Sequence, residues 1–239
     1  MYMRNPMIDV SAKKLDSMAG VGFTTQSVAL ITMFYLAFVV LAAMVSWQHA
    51  FVFQPWAVPL AFGALGVGLL ASFHPKLANF LGPVYAILEG MVIGVISFHM
   101  ESLYPNIVIQ AVLCTFGIAA ACGIIFAMGW RMPSRLKSMV AIATMGIAFI
   151  YIFDLIAIVF FGTTVPFLHE NTLQGMMVSV IIIIVATLRL FMDYEMIEHA
   201  EQVGLSKEYE CYYAFGLTLT LLWLYLEILR LMGKSRSRK

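Results

Sequence analysis

Seven stretches of apolar residues follow one another along the chain, at 27–47, 53–73, 81–99, 107–130, 138–161, 173–192 and 211–232. Each approaches the roughly 20 residues that a helix needs to cross about 30 Å of hydrocarbon. The pattern predicts seven transmembrane helices and no strands. Short connectors punctuated by proline or polar residues separate them, at 74–76, 104–106, 131–134 and 162–171. None is long enough for a separate soluble domain. The expected organisation is a polar N-terminal segment (1–26), a transmembrane bundle (27–232) and a basic C-terminal tail (233–239).

Within the apolar stretches, small residues recur every four positions: Ala64, Gly68 and Ser72; Gly90 and Gly94; Ala119, Gly123 and Ala127. Such rows let helix backbones approach closely in lipid. Two further stripes carry polar groups. Gly175, Ser179, Ile182, Ala186, Arg189 and Asp193 follow the i+3/i+4 alternation on the sixth helix, and Gly216, Thr220, Trp223, Glu227 and Arg230 follow it on the seventh. Both stripes are expected to face the bundle centre. Arg189 and Asp193 (i,i+4) and Glu227 and Arg230 (i,i+3) have the spacing of helical ion pairs.

Ionisable groups in hydrocarbon are costly and persist where they face a bundle interior, a partner or a water-filled cavity. Glu89, Asp154, Asp193 and Glu227 therefore mark where function is to be sought. At 1.5 Å per residue, Glu89 lies about 12 Å from the N-terminal face and Arg189 about 6 Å, with Asp193 near that interface. By the same rise, Asp154 and Glu227 lie about 24 Å down, with Arg230 beyond them. Two clusters emerge, one in each half of the bilayer. Arg189, Asp193 and Arg230 are also near enough to span ends to act as interfacial anchors. Asp154, on a face with Ile147, Ile150, Ile158 and Phe161, is either a second functional carboxyl or an isolated neutral acid. Glu89, mid-helix beside Gly90 and one turn after Tyr85, is the expected proton-responsive group.

Composition agrees with the membrane reading: 62% of 239 residues are hydrophobic, 11% are charged, and the mean hydropathy is +0.92. A soluble domain carries roughly twice that charged fraction. A net charge of +1 offers no basic surface for nucleic acid, which is not an expected partner. Residues 1–26 contain Arg4, Asp9, Lys13, Lys14 and Asp16 and no apolar signal core, so the spans themselves are expected to drive insertion. Cys114, Cys122 and Cys211 read as buried thiols. Lys and Arg concentrate in the connectors on the N-terminal side, which places that side in the cytoplasm, although Lys234, Arg236, Arg238 and Lys239 would then lie outside.

The 193–210 connector holds Glu195, Glu198, His199, Glu201, Lys207, Glu208 and Glu210 and reads as a solvated helical extension broken at Gly204. It lacks the D-x-[DN]-x-[DN]-G spacing of a calcium loop. The last span has no lysine for a retinal Schiff base, and His169-Glu170 has no second histidine four residues on. No nucleophile elbow is present. The sequence thus points away from an enzyme and implies no cofactor.

Several motifs resemble those of the Bax inhibitor/YccA-like membrane proteins, specifically a bacterial branch with a longer N-terminus. They are Leu81-Gly-Pro-Val-Tyr-Ala-Ile-Leu-Glu-Gly-Met-Val-Ile-Gly, Tyr104-Pro-Asn-Ile-Val-Ile-Gln-Ala-Val, Pro166-Phe-Leu-His-Glu, Met192-Asp-Tyr-Glu-Met-Ile-Glu and Leu222-Trp-Leu-Tyr-Leu-Glu-Ile-Leu-Arg. The resemblance covers about residues 73–232. It implies a seven-helix bundle with the last helix wrapped by the other six. It also implies a pH-sensitive calcium leak controlled by aspartates on the sixth and seventh helices, and in bacteria a link to a membrane-bound AAA protease. Asp193 matches the sixth-helix aspartate.

The seventh-helix aspartate falls at Thr220, with Glu227 two turns further on. The third helix carries Glu89 in the segment where the family has Thr or Ser before glycine. This suggests that a carboxylate has moved to Glu89, with Thr220 as a hydrogen-bonding neighbour and Arg189 bridging Glu89 to Asp193. Calcium is the expected ion, with a possible site at Glu89 and Asp193, because carboxylate oxygens suit it. Glu227 stays open as the other replacement. The resulting expectation is a pH-responsive cation leak channel or transporter in the bacterial inner (plasma) membrane. The alternative is a non-conducting regulator that binds a membrane protease, with the acidic connector as a docking surface. The sequence leaves the oligomeric state open.

Overall fold

Each apolar stretch folds into a helix, because in hydrocarbon only a helix or a closed barrel satisfies its own backbone N–H and C=O groups. The computed structural model describes residues 22–163 and 172–237. Residues 1–21, 164–171 and 238–239 lie outside it, and with them most of the polar N-terminal segment, the Pro166-Phe-Leu-His-Glu motif and the end of the basic tail. Seven helices among the described residues are long and apolar enough to cross a membrane. They are α1 (Thr25–Gln48), α2 (Ala50–Phe73), α3 (Pro75–Leu103), α4 (Ile107–Ala127), α5 (Ser134–Phe161), α6 (Leu173–Gln202) and α7 (Lys207–Arg236). Short 3-10 turns at Gln54–Trp56, Pro75–Leu77 and Lys207–Tyr209 begin or interrupt three of them.

Contacts at the two ends fix the alternation of the spans. Near the start of α1, the Phe23 amide donates to the Leu205 carbonyl (3.0 Å), so the chain entry and the α6–α7 turn share one face. At the other end Arg236 donates to the Pro105 carbonyl and to Gln110 (2.8 Å each), joining the end of α7 to the α3–α4 turn. Gly204 (φ +66°) makes the break after α6, a left-handed conformation that glycine adopts without steric cost.

α7 lies at the centre. In its most apolar stretch 61% of residues are buried, against 11% for α5 at the periphery. α7 packs on α1, α3, α4 and α6, and its buried face includes Phe215, Leu221, Leu224 and Leu229. α1 and α3 form the closest helix pair, and glycine is what permits it. A β-carbon on Gly90 would come within 2.6 Å of the Val39 carbonyl oxygen, and one on Gly94 within 2.0 Å of Ser46 Oγ.

Other expected contact rows differ. Ser72 is exposed and Ala71 takes its place beside Ala64 and Gly68 on the buried face of α2. Gly123 has no atom within 4 Å of where a β-carbon would stand, so the α4 row is not a close helix crossing. Of the cysteines, Cys122 is buried, Cys211 half-buried and Cys114 exposed. Cys114 follows Leu113 on an outward face of α4, where lipid replaces protein as the apolar neighbour.

Candidate functional site in the seam of the last three helices

The polar stripes of α6 and α7 meet at two levels. At the first, Arg189 lies one helical turn before Asp193 on α6, and their charged atoms are 3.1 Å apart. Thr220 of α7 donates its hydroxyl to the other Asp193 oxygen at 2.6 Å. Asp193 is 3% exposed. Charge-assisted hydrogen bonds are the stronger kind, so this contact between a buried carboxylate and the central helix joins α6 to α7 firmly.

At the second level, Glu227 of α7 is 1% exposed and accepts from Arg230 one turn on, at 2.8 Å. Tyr151 of α5 donates to the same Glu227 oxygen, and Arg230 donates to the Tyr151 oxygen while its guanidinium sits 5.0 Å from the ring centre. Asp154, one turn beyond Tyr151 and also buried, adds to the field holding the Arg230 charge. It is therefore a member of the Glu227 cluster and not an isolated acid. Lys234, one further turn along α7, is buried and donates to the Gly175 carbonyl and to Ser179 Oγ of α6, both at 2.9 Å.

Both arginines act as partners of buried carboxylates, which an anchor at the lipid interface would not. Lys234 corrects the expectation of a basic tail from residue 233. The helix runs on to Arg236, and i+4 from Arg230 carries Lys234 onto the same inward stripe. Tyr151 and Lys234 were missed in the sequence. The available signals were the three-residue step from Tyr151 to Asp154 and the continuation of the α7 stripe.

Glu89 stands apart. It is half-buried on α3, with Tyr85 as its electrostatic neighbour one turn earlier, and Tyr85 packs edge-on to Phe215 of α7 at 5.1 Å. α3 packs against α1, α2, α4 and α7 but not closely against α6, so the central helix lies between the helix of Glu89 and α6. The expected Glu89–Asp193 pair bridged by Arg189 is not formed, and no shared calcium site arises from those two carboxyls. Among the described residues, no group of three or more His, Cys, Asp or Glu side chains could hold a metal ion.

The acidic connector is a wet face only in part: Glu201 and Glu208 are exposed, while its other glutamates are buried or half-buried. Glu195 is buried, accepts from the Met132 amide and pairs with Lys137. Glu198 is held by the Arg131 guanidinium at 2.8 and 3.0 Å, and Glu201 and Glu210 accept from the backbone amides of Thr25 and Thr24 at 3.2 and 3.0 Å. The three-residue spacing of Glu195, Glu198 and Glu201 puts them on one helical face, turned toward the starts of α1 and α5. Negative charge at the first turn of α1 complements the helix dipole.

Fold and site together define a multi-pass, all-helical integral membrane protein with ionisable side chains buried between its helices. A family model described as "Bax inhibitor 1 like" matches residues 5–237, nearly the whole chain. The chain belongs to that family. No curated protein and no solved structure matches it.

Proposed function

We propose that this protein is a pH-responsive cation leak channel or transporter of a bacterial plasma membrane, with calcium as the expected ion, gated at Asp193. The observation that carries this reading is the Asp193 carboxylate itself. It is buried beside the central helix and divided between Arg189 on its own helix and Thr220 on the next. Protonating it would end the ion pair with Arg189 and weaken the tie to Thr220, so acid loosens the α6–α7 contact. The second cluster, around Glu227 and Arg230, supplies the charged groups of the other half of the same seam. Glu89 remains a fourth intramembrane carboxyl, on a helix that packs on α7 away from α6, available to a cation or proton but not part of the Asp193 gate.

The regulator reading has less of the feature that favoured it. The carboxylates of Glu195, Glu198, Glu201 and Glu210 are engaged by this chain's own groups, and Glu208 is the connector acid turned outward.

Calcium entry into dye-loaded liposomes at pH 6 and pH 8 tests the proposal. Wild-type flux is expected to be faster at pH 6 by about fivefold or more, the size of an ordinary coupling energy. Asp193→Asn should abolish the difference, whereas Glu89→Gln should lower flux without abolishing it. Absence of flux at both pH values would overturn the reading.

A further inference from the structure

Among the described residues, four buried side-chain nitrogen or oxygen atoms have no hydrogen-bond partner: Thr144 Oγ1, Glu195 Oε2, Trp223 Nε1 and Glu227 Oε2. Glu195 Oε2 is satisfied by its ion pair with Lys137. Helical register relates the other three. Trp223 lies between Thr220 and Glu227 on the α7 stripe that faces α5 and α6. Thr144 lies seven residues before Tyr151, on the α5 face that meets Glu227. α5 and α7 are both odd-numbered spans and run in the same direction, so Thr144 stands near the level of Thr220.

Buried polar atoms in proteins are almost always paired, with protein or with ordered water. Among the described residues no protein group answers these three, and helical register orders them between the Asp193–Thr220 contact and Glu227. Thr220 and Glu227 are separated by seven residues, about 10 Å along the axis. At about 2.8 Å per O–H···O step, three water molecules fill that interval.

We propose that the seam between α5, α6 and α7 holds a file of about three water molecules that links the Asp193 cluster to the Glu227 cluster, with Thr144 and Trp223 as its lining hydrogen-bond groups. Trp223 Nε1 donates to the file, Glu227 Oε2 accepts from it, and the Thr144 hydroxyl does either. The file deepens the leak reading by giving it a hydrated route between its two charged levels, and rests on that reading only for its purpose, not for its existence.

The test separates the two. The chain has four tryptophans, so ¹⁵N-tryptophan protein in deuterated lipid gives at most four indole N–H signals, and Trp223→Phe identifies the relevant one. Magnetisation transfer from water to the Trp223 N–H by solid-state NMR is the readout. Direct transfer is expected, and Thr144→Val should reduce it about twofold or more, since loss of one of the lining polar groups weakens the hydration of its neighbours. A Trp223 N–H without contact to water would overturn the file, whatever the calcium flux. Transfer that is unchanged in Thr144→Val would overturn its extension toward Asp193. Direct transfer in a protein that shows no flux would leave the file standing and remove the leak.

Discussion

The hydroxyl of Thr220 is 2.6 Å from an oxygen of Asp193, and it is the hydrogen bond through which the central helix holds the acid of α6. Thr220→Val keeps the shape and removes the donor, leaving a buried carboxylate oxygen short of one partner. A loss of about 1–3 kcal/mol is expected, measured as lowered thermal stability in detergent.

Thr220→Asp creates two carboxyls in contact, and two such groups cannot both ionise without cost. The variant should be more stable at pH 6, where the pair shares a proton, than at pH 8. Wild type should show a smaller or opposite difference, because its single acid faces Arg189 and no second carboxyl. Thermal unfolding at the two pH values checks both.

The Glu227 cluster should respond unequally to its three members. Arg230→Met leaves Glu227 buried without the cation that donates to it, and breaking such a pair costs about 3–5 kcal/mol. Tyr151→Phe removes one hydrogen bond to a charged group, worth about 1.5–3 kcal/mol. Glu227→Gln should fall between them, because Asp154 remains to oppose the Arg230 charge. Stability of the purified variants in one detergent gives the order, and an Arg230→Met protein as stable as wild type would contradict it.

Much of this was legible in the chain. The seven spans follow from hydropathy because lipid admits so few solutions. The ion pairs Arg189–Asp193 and Glu227–Arg230 follow from helical spacing, which local geometry fixes. Partners on other helices were harder. Nothing in the sequence says that Tyr151 meets Glu227, because the rotation of α5 about its axis is set by packing and not by its nearly uniform apolarity. Glu89 shows the same limit. Its depth along the membrane was readable, but depth alone cannot tell that α7 stands between it and Asp193.

The tight α1–α3 crossing predicts a contrast between glycines. Gly94→Ala would drive a methyl group into Ser46 and the Ala43 carbonyl, at 2.0 and 2.4 Å, and should cost about 1–3 kcal/mol or more. Gly123→Ala meets nothing within 4 Å and should be neutral or stabilising by up to about 1 kcal/mol, since alanine is the better helix former. Melting temperatures of the two variants in the same detergent suffice to compare them.

The carboxylates that cap α1 make a further expectation. Removing both charges with Glu201→Gln and Glu210→Gln weakens the hold on the Thr24 and Thr25 amides and the favourable interaction with the helix dipole, together about 1–2 kcal/mol. Amide exchange in the first turn of α1 should accelerate about tenfold, while exchange in the middle of α7 stays unchanged.

Because the chain places its most enclosed helix after the four that pack against it, the bundle cannot close during synthesis until that helix has been made. Domains otherwise tend to assemble from the N-terminal end as they emerge. Until then the inner surfaces of α1, α3, α4 and α6 must rest against lipid or one another, and Asp193 waits without its threonine. A ribosome that stalls before Glu210 would therefore leave six inserted helices around an unfilled axis, a ready substrate for membrane quality control.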